Sequence, residues 1–141
     1  MNSTETLNAI TENLNSILKT EGLHLARENY ENEKNVPSSI FPYGVVSYEG
    51  ETFEYTHGQR PGYSDVDFLV RVVLRNKDTR AMTDDEQRWA HRIREALTVN
   101  TINSGRISVT SPVSRVTTRS VKVEKAGHIS RLIYSLSIRY R

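Results

Sequence analysis

The sequence predicts an α+β domain: an antiparallel or mixed β-sheet of about four to five strands, with two helices packed on one face and a projecting β-arm. Three observations carry this. Val66, Phe68, Val70, Val72 and Leu74 alternate with Asp65, Asp67, Arg71 and Arg75, which puts the five apolar side chains on one face of a strand. Directly afterwards Trp89, Ile93, Ala96 and Leu97 recur at helical spacing, so the strand is followed by an amphipathic helix able to cover it. At the other end of the chain Leu132, Tyr134, Leu136, Ile138 and Tyr140 alternate with Arg131, Ser135, Ser137, Arg139 and Arg141, with Ile133 breaking the pattern.

In chain order, Leu7, Ile10, Leu14, Ile17 and Leu18 repeat at three- and four-residue steps. They predict a first helix with Ser3 or Thr4 as its cap and Gly22 as its stop. Its opposite face carries Asn8, Thr11, Glu12, Asn15 and Lys19, so it should lie on a sheet surface. Leu23, Leu25 and Arg27 suggest a short strand, followed by a polar loop from Glu28 to Ser39. Pro37 and Pro42 bracket the entrance of a strand from Tyr43 to Thr56, with a bulge at Gly50. His57 to Tyr63, holding Gly58, Pro61 and Gly62, is a turn-rich connection that makes a hairpin with the Ser64 strand. Thr83 with Glu86 allows a capping box at the start of the second helix, with Asp84 and Asp85 near its positive end. Arg106 to Val123 is rich in Ser, Thr, Val and Arg and holds Pro112. Within it Arg106 to Thr118 has few large apolar side chains to bury, so part of that stretch is the candidate for the projecting arm. Lys125 to His128 forms a turn into the last strand.

A chain of 141 residues fits one domain, residues 1–141. With no cysteine, disulfides, thiolate metal sites and cysteine nucleophiles are excluded. No apolar run approaches the roughly 20 residues of a membrane span, and the polar start is unlike a secretory signal, so the expectation is a protein made in cytoplasm without membrane contact. The net charge of +2 conceals an asymmetry: residues 1–60 carry four basic residues against nine Glu, and residues 61–141 fifteen basic against eight acidic. Such a split points to nucleic acid, to an acidic neighbouring subunit, or simply to a solvated sheet face.

The candidate chemistry begins at Asp65 and Asp67. Two carboxylates at i and i+2 on a strand point the same way and can share a divalent cation. The run from Ser64 to Val70 is similar to the metal-binding strand of nucleotidyltransferases, although the Gly-Ser pair that should open a helix upstream and a third acid in a later strand are missing. His24, His57, His91 and His128 lack metal-ligand spacing, and there is no GxSxG, Walker or GxGxxG motif. Tyr30, Tyr43, Tyr48, Tyr55 and Tyr63 crowd one region, as base-stacking residues or, more simply, as strand and interface residues.

The order of elements as a whole resembles the phage tail terminator family, of the minor tail protein U type. The resemblance runs through a first helix, a variable loop, a Pro-led strand from Phe41 to Ser47 and its Gly-Glu continuation to Tyr55. It goes on through the strand Asp65 to Leu74, a helix holding Asp84, Glu86, Trp89 and Ile93, and the closing strand Leu132 to Tyr140. It implies a virion protein of the tail and neck that forms a hexameric ring on the finished tail tube, stops polymerisation and presents a surface to the head-completion or connector protein. DNA would pass through the ring without sequence-specific binding, and neither an enzymatic reaction nor a cofactor is implied. A head-to-tail ring needs two complementary patches on each subunit. The expected interface takes Tyr48, Glu49, Glu51, Phe53, Glu54, His57, Arg60 and Tyr63 from the hairpin together with Arg115, Arg119 and Lys122, with Glu49, Glu51 and Glu54 of one subunit facing Arg115, Arg119 or Lys122 of the next. Two alternatives stay open: another neck or head-completion protein, and a nucleotidyltransferase-like enzyme using Asp65 and Asp67 with a divalent metal.

Overall fold

The computed structural model describes residues 3–25, 40–55, 61–75, 79–105 and 112–140. The elements follow in the order α1 (Ser3–Thr20), β1 (His24–Leu25), β2 (Tyr43–Tyr55), β3 (Pro61–Arg75), α2 (Thr79–Ala96), α3 (Val99–Asn103), β4 (Val113–Ala126) and β5 (Ile129–Tyr140). They form a five-stranded mixed sheet of order β1-β2-β3-β5-β4, in which only the β1–β2 pair is parallel. The fold is the expected α+β sheet with two principal helices on one face.

The alternation read from the sequence sets that face. Val66, Phe68, Val70, Val72 and Leu74 of β3 pair in register with Ile138, Leu136, Tyr134, Leu132 and Ser130 of β5. The apolar members of both rows join Ile10, Leu14 and Leu18 of α1, Ile93 of α2 and Ile102 of α3 in one buried cluster. Removing a leucine or isoleucine from such a core costs about 2–5 kcal/mol, so this cluster dominates the stability of the fold. Among the described residues the apolar cluster on the opposite sheet face is small: Tyr43, Val45 and Val73, with Ile40, Phe41 and Ile129 against it.

Gly22 ends α1 as expected, at φ 98°, where a side chain would be strained. Its N–H donates to the Lys19 carbonyl and that of Leu23 to the Leu18 carbonyl, which is the Schellman pattern of a helix stop. The bulge in β2 is also present: Tyr48 pairs with Phe68 and Gly50 with Asp67, leaving Glu49 unpaired in the ladder. Gly127 at φ 61° opens the two-residue turn between β4 and β5, where left-handed backbone suits the twist of the hairpin.

Four expectations are corrected. Helix α2 begins at Thr79, one turn before the Thr83–Glu86 box, because Arg80, Ala81 and Met82 are good helix formers and extend it backwards. The second connection is tighter than read, since β3 already starts at Pro61. A short helix, α3, was not expected; Thr98 caps it by accepting from the Thr101 N–H. Most consequentially, the segment read as an arm is an edge strand from Val113 onward, paired with β5 along its whole length. Asn103 fixes its start through both side-chain atoms, Nδ2 donating to the Val113 carbonyl at 2.9 Å and Oδ1 accepting the Val113 N–H at 2.8 Å. The short strand predicted at Leu23, Leu25 and Arg27 is β1, two residues long. The polar loop from Glu28 to Ser39, with Arg27, and residues 106–111 lie outside the described residues.

Candidate functional site

The chemistry-bearing residues lie on the edges and the helix-free face of the sheet. Strand β2 carries Glu49, Glu51 and Glu54 with no Lys or Arg, whereas β4 carries Arg115, Arg119, Lys122 and Lys125 against Glu124 alone. Apart from the β1 contact at Tyr43 and Gly44, no strand among the described residues pairs with the outer side of β2, and none pairs with the outer side of β4. One sheet thus ends in an acidic edge and a basic edge.

Asp65 and Asp67 project from β3 onto the helix-free face, where register decides their partners. Asp65 pairs with Arg139 across the β3–β5 ladder. The guanidinium grips the carboxylate with two bonds, Nε to Oδ1 at 2.9 Å and Nη2 to Oδ2 at 3.1 Å. The same guanidinium lies 3.7 Å from the centre of the Tyr63 ring. The Arg139 hydrogen bond holds the Asp65 carboxyl below the usual carboxylate range against the opposing effect of burial, with help from the charges of Arg139, Arg115 and Arg119. Asp67 has the Arg119 guanidinium 3.9 Å away. The pair that suggested a cation site in the sequence therefore has basic partners in the fold. Among the described residues no group of three His, Asp or Glu side chains converges as a metal site.

Asp67 and Arg119 share a shallow trough of about 240 Å³ with Glu49, Leu69 and Ser135, on the helix-free face. Glu49 and Arg119 both come from bulges, one on β2 and one between Thr118 and Ser120 on β4. The bulges re-aim these side chains toward the same part of the face.

The remaining predicted interface residues divide. Tyr48 is 51% exposed, resting edge-on against Phe68 with ring centres 6.0 Å apart. Arg115 and Lys122 are exposed on β4. Glu51 is half-buried and engaged within the chain, accepting the Tyr140 hydroxyl; burial first, and then Glu51, push that phenol above its ordinary range. Tyr63 is covered by Arg139 and so is less available than the sequence suggested. Phe53 and Glu54 lie on β2, but their side chains, like His57 and Arg60 entirely, are outside the described residues. Sequence reasoning missed Arg139, Leu69 and Ser135. Only the β3–β5 and β4–β5 registers place them beside the acids and Arg119.

No protein-family profile matches the chain, and neither does any curated protein. Solved structures do share its fold. A chain of the virion of a native gene transfer agent particle matches with TM-score 0.54 and 12% identity, over 94% of this chain and 92% of that one. A second structure matches with TM-score 0.53 and 16% identity, over all of this chain and 96% of the other.

Proposed function

We propose that this protein is a structural component of a phage-like virion: a ring on the end of the tail tube that terminates tail polymerisation and offers the joining surface to a head-completion or connector protein. The observation that carries the reading is the pair of oppositely charged edges on a single sheet, since a heterologous ring needs two different complementary patches per subunit. The shared fold with a chain of a gene transfer agent virion supports it. So does the element order that resembles tail terminators. Its partners are then further copies of itself, six to a ring, the major tube protein and the connector, with DNA passing through the centre unread. Glu49 and Glu54 of one subunit face Arg115, Arg119 or Lys122 of the next, and Glu51 contributes less because Tyr140 already occupies it.

Charge reversal tests this. Arg115→Glu with Arg119→Glu should abolish rings in negative-stain images while circular dichroism shows the fold retained. Unaltered rings would refute the role of these residues. A strictly monomeric wild-type chain that never binds tail tubes would refute the function.

A further inference from the structure

We infer that successive subunits join strand to strand, the outer edge of β4 pairing antiparallel with the outer edge of β2 in the next copy, with Tyr48 set opposite Thr118 and Thr52 opposite Arg115. The inference deepens the ring reading and rests on it.

Three features point to a second copy as the occupant of these edges. The first is direction. Strands β2, β3, β5 and β4 are successively antiparallel, so β4 runs opposite to β2. A copy placed alongside in the same orientation therefore brings its β2 antiparallel to β4, and the alternation continues without a break. A β4 edge meeting another β4 edge would instead need a two-fold axis and would bring like charges together. Length and charge are the second feature. Strand β4 is 14 residues long and β2 13, of which Tyr43 and Gly44 already pair with β1 on the outer side, and the balance is three acids on β2 against four bases and one acid on β4. Complementary charge guides orientation and excludes the wrong pairing.

The third feature is level. Across the sheet, Tyr48, Phe68, Leu136 and Thr118 form one continuous row. Glu49 follows Tyr48 and Arg119 follows Thr118, and because β2 and β4 run in opposite directions the two bulges lie on opposite sides of this row, Glu49 toward the Asp67–Ser137 pair and Arg119 toward the Leu69–Ser135 pair. Thr52, Asp65, Arg139 and Arg115 make a second row nearer the β4 start. Continuing the rows into a neighbour at equal height sets Tyr48 by Thr118 and Thr52 by Arg115, with Glu49 and Arg119 as diagonal neighbours on either side of the first pair. A bulge normally twists an edge away from further pairing. Here one bulge on each edge flanks the same row, so the two shifts cancel and the pairing keeps one register on both sides of them, and ring closure then leaves neither edge bare.

The absence of cysteine allows a direct test. Full-length chains carrying Tyr48→Cys with Thr118→Cys, or Thr52→Cys with Arg115→Cys, are oxidised after assembly, while native mass spectrometry of the reduced wild type reports ring formation. Cross-strand neighbours lie about 4.5–5.5 Å apart at Cα, within disulfide reach. The expected result is a covalent ladder of multimers from at least one pair and none from any single-cysteine chain. In parallel, Glu49→Arg or Arg119→Glu alone should raise the concentration for half assembly about tenfold, and the two together in one chain should restore it. Rings that form without ladders from either pair overturn this edge pairing and leave the ring reading standing. Dimers linked by Thr118→Cys or Arg115→Cys alone also overturn it, since they report β4 meeting β4. A wild-type chain that stays monomeric and unlinked overturns both.

Discussion

Asn13 and Gly105 stand so close that a Cβ at position 105 would fall 2.4 Å from Asn13 Cγ. Asn13 cannot retreat. It is fully buried on α1, and its Nδ2 donates to the Ile102 carbonyl at 2.8 Å, tying α1 to the short helix that leads toward β4. Gly105→Ala should therefore break this bond or displace α3, and losing a buried amide's bond to the Ile102 carbonyl costs about 1–3 kcal/mol. Chemical denaturation would measure it. Because α3 positions Asn103 against Val113, the substitution should also weaken ring assembly more than its effect on stability alone would explain.

The Asp65–Arg139 pair gives a pH prediction with a definite sign. A carboxyl whose pKa is lower in the folded than in the unfolded chain stabilises the fold above its unfolded pKa, and that contribution is lost as pH falls through the folded value. Stability should thus decline on acidification below the ordinary aspartate range. Asp65→Asn should cost about 1–2 kcal/mol at neutral pH, as expected for a partly exposed charge-assisted contact, and should flatten the acid limb. Thermal melts of both chains between about pH 2 and pH 7 would show it. An equal acid slope in the two proteins would remove the assignment.

Much of this fold was legible from residue periodicity, and where it failed the reason is physical. Strands β3 and β5 sit inside the sheet with one face buried under helices, so their alternation is plain, though Leu69, Val73 and Ile133 break it on the other face. Strand β4 lies at the edge. Only Val113 of its fourteen residues is buried, so burial selected almost no apolar pattern and its Ser, Thr and Arg read as an arm. Helix α3 is too short for a period to show and is held by local bonds of Thr98 and Thr101. At the candidate site, residue types on the two edges could be read from the sequence. The Asp65–Arg139 partnership could not, because it spans 74 positions and exists only through strand register.

Tyr134 shows what one buried hydroxyl does in this core. It lies between sheet and helix with its Oη donating toward the carbonyls of Trp89 and Ala90, each 3.2 Å away. Burial pushes its phenol above the ordinary tyrosine range, so it stays protonated and remains a donor in neutral and mildly alkaline solution. Tyr134→Phe should keep the packing and lose about 0.5–1.5 kcal/mol, measurable by denaturant titration. Tyr134→Leu should lose more, since it also leaves a cavity beneath α2.

The contact between α2 and β4 makes the final prediction, an asymmetry within one ion pair. Glu86 is only 6% exposed; Lys125 Nζ lies 3.4 Å from its Oε2, and its Oε1 has no hydrogen-bond partner among the described residues. Lys125 is by contrast half-exposed and well served by water. Lys125→Met should therefore leave a buried carboxylate uncompensated and destabilise the protein by about 1–3 kcal/mol. Glu86→Met removes the poorly satisfied charge and leaves a lysine that solvent can accommodate, so its effect should be neutral or stabilising by about 1 kcal/mol. Equilibrium unfolding of the two single variants decides the matter: equal losses would mean that the pair is satisfied symmetrically, and a larger loss from Glu86→Met would mean that the carboxylate anchors α2 to the β4–β5 hairpin.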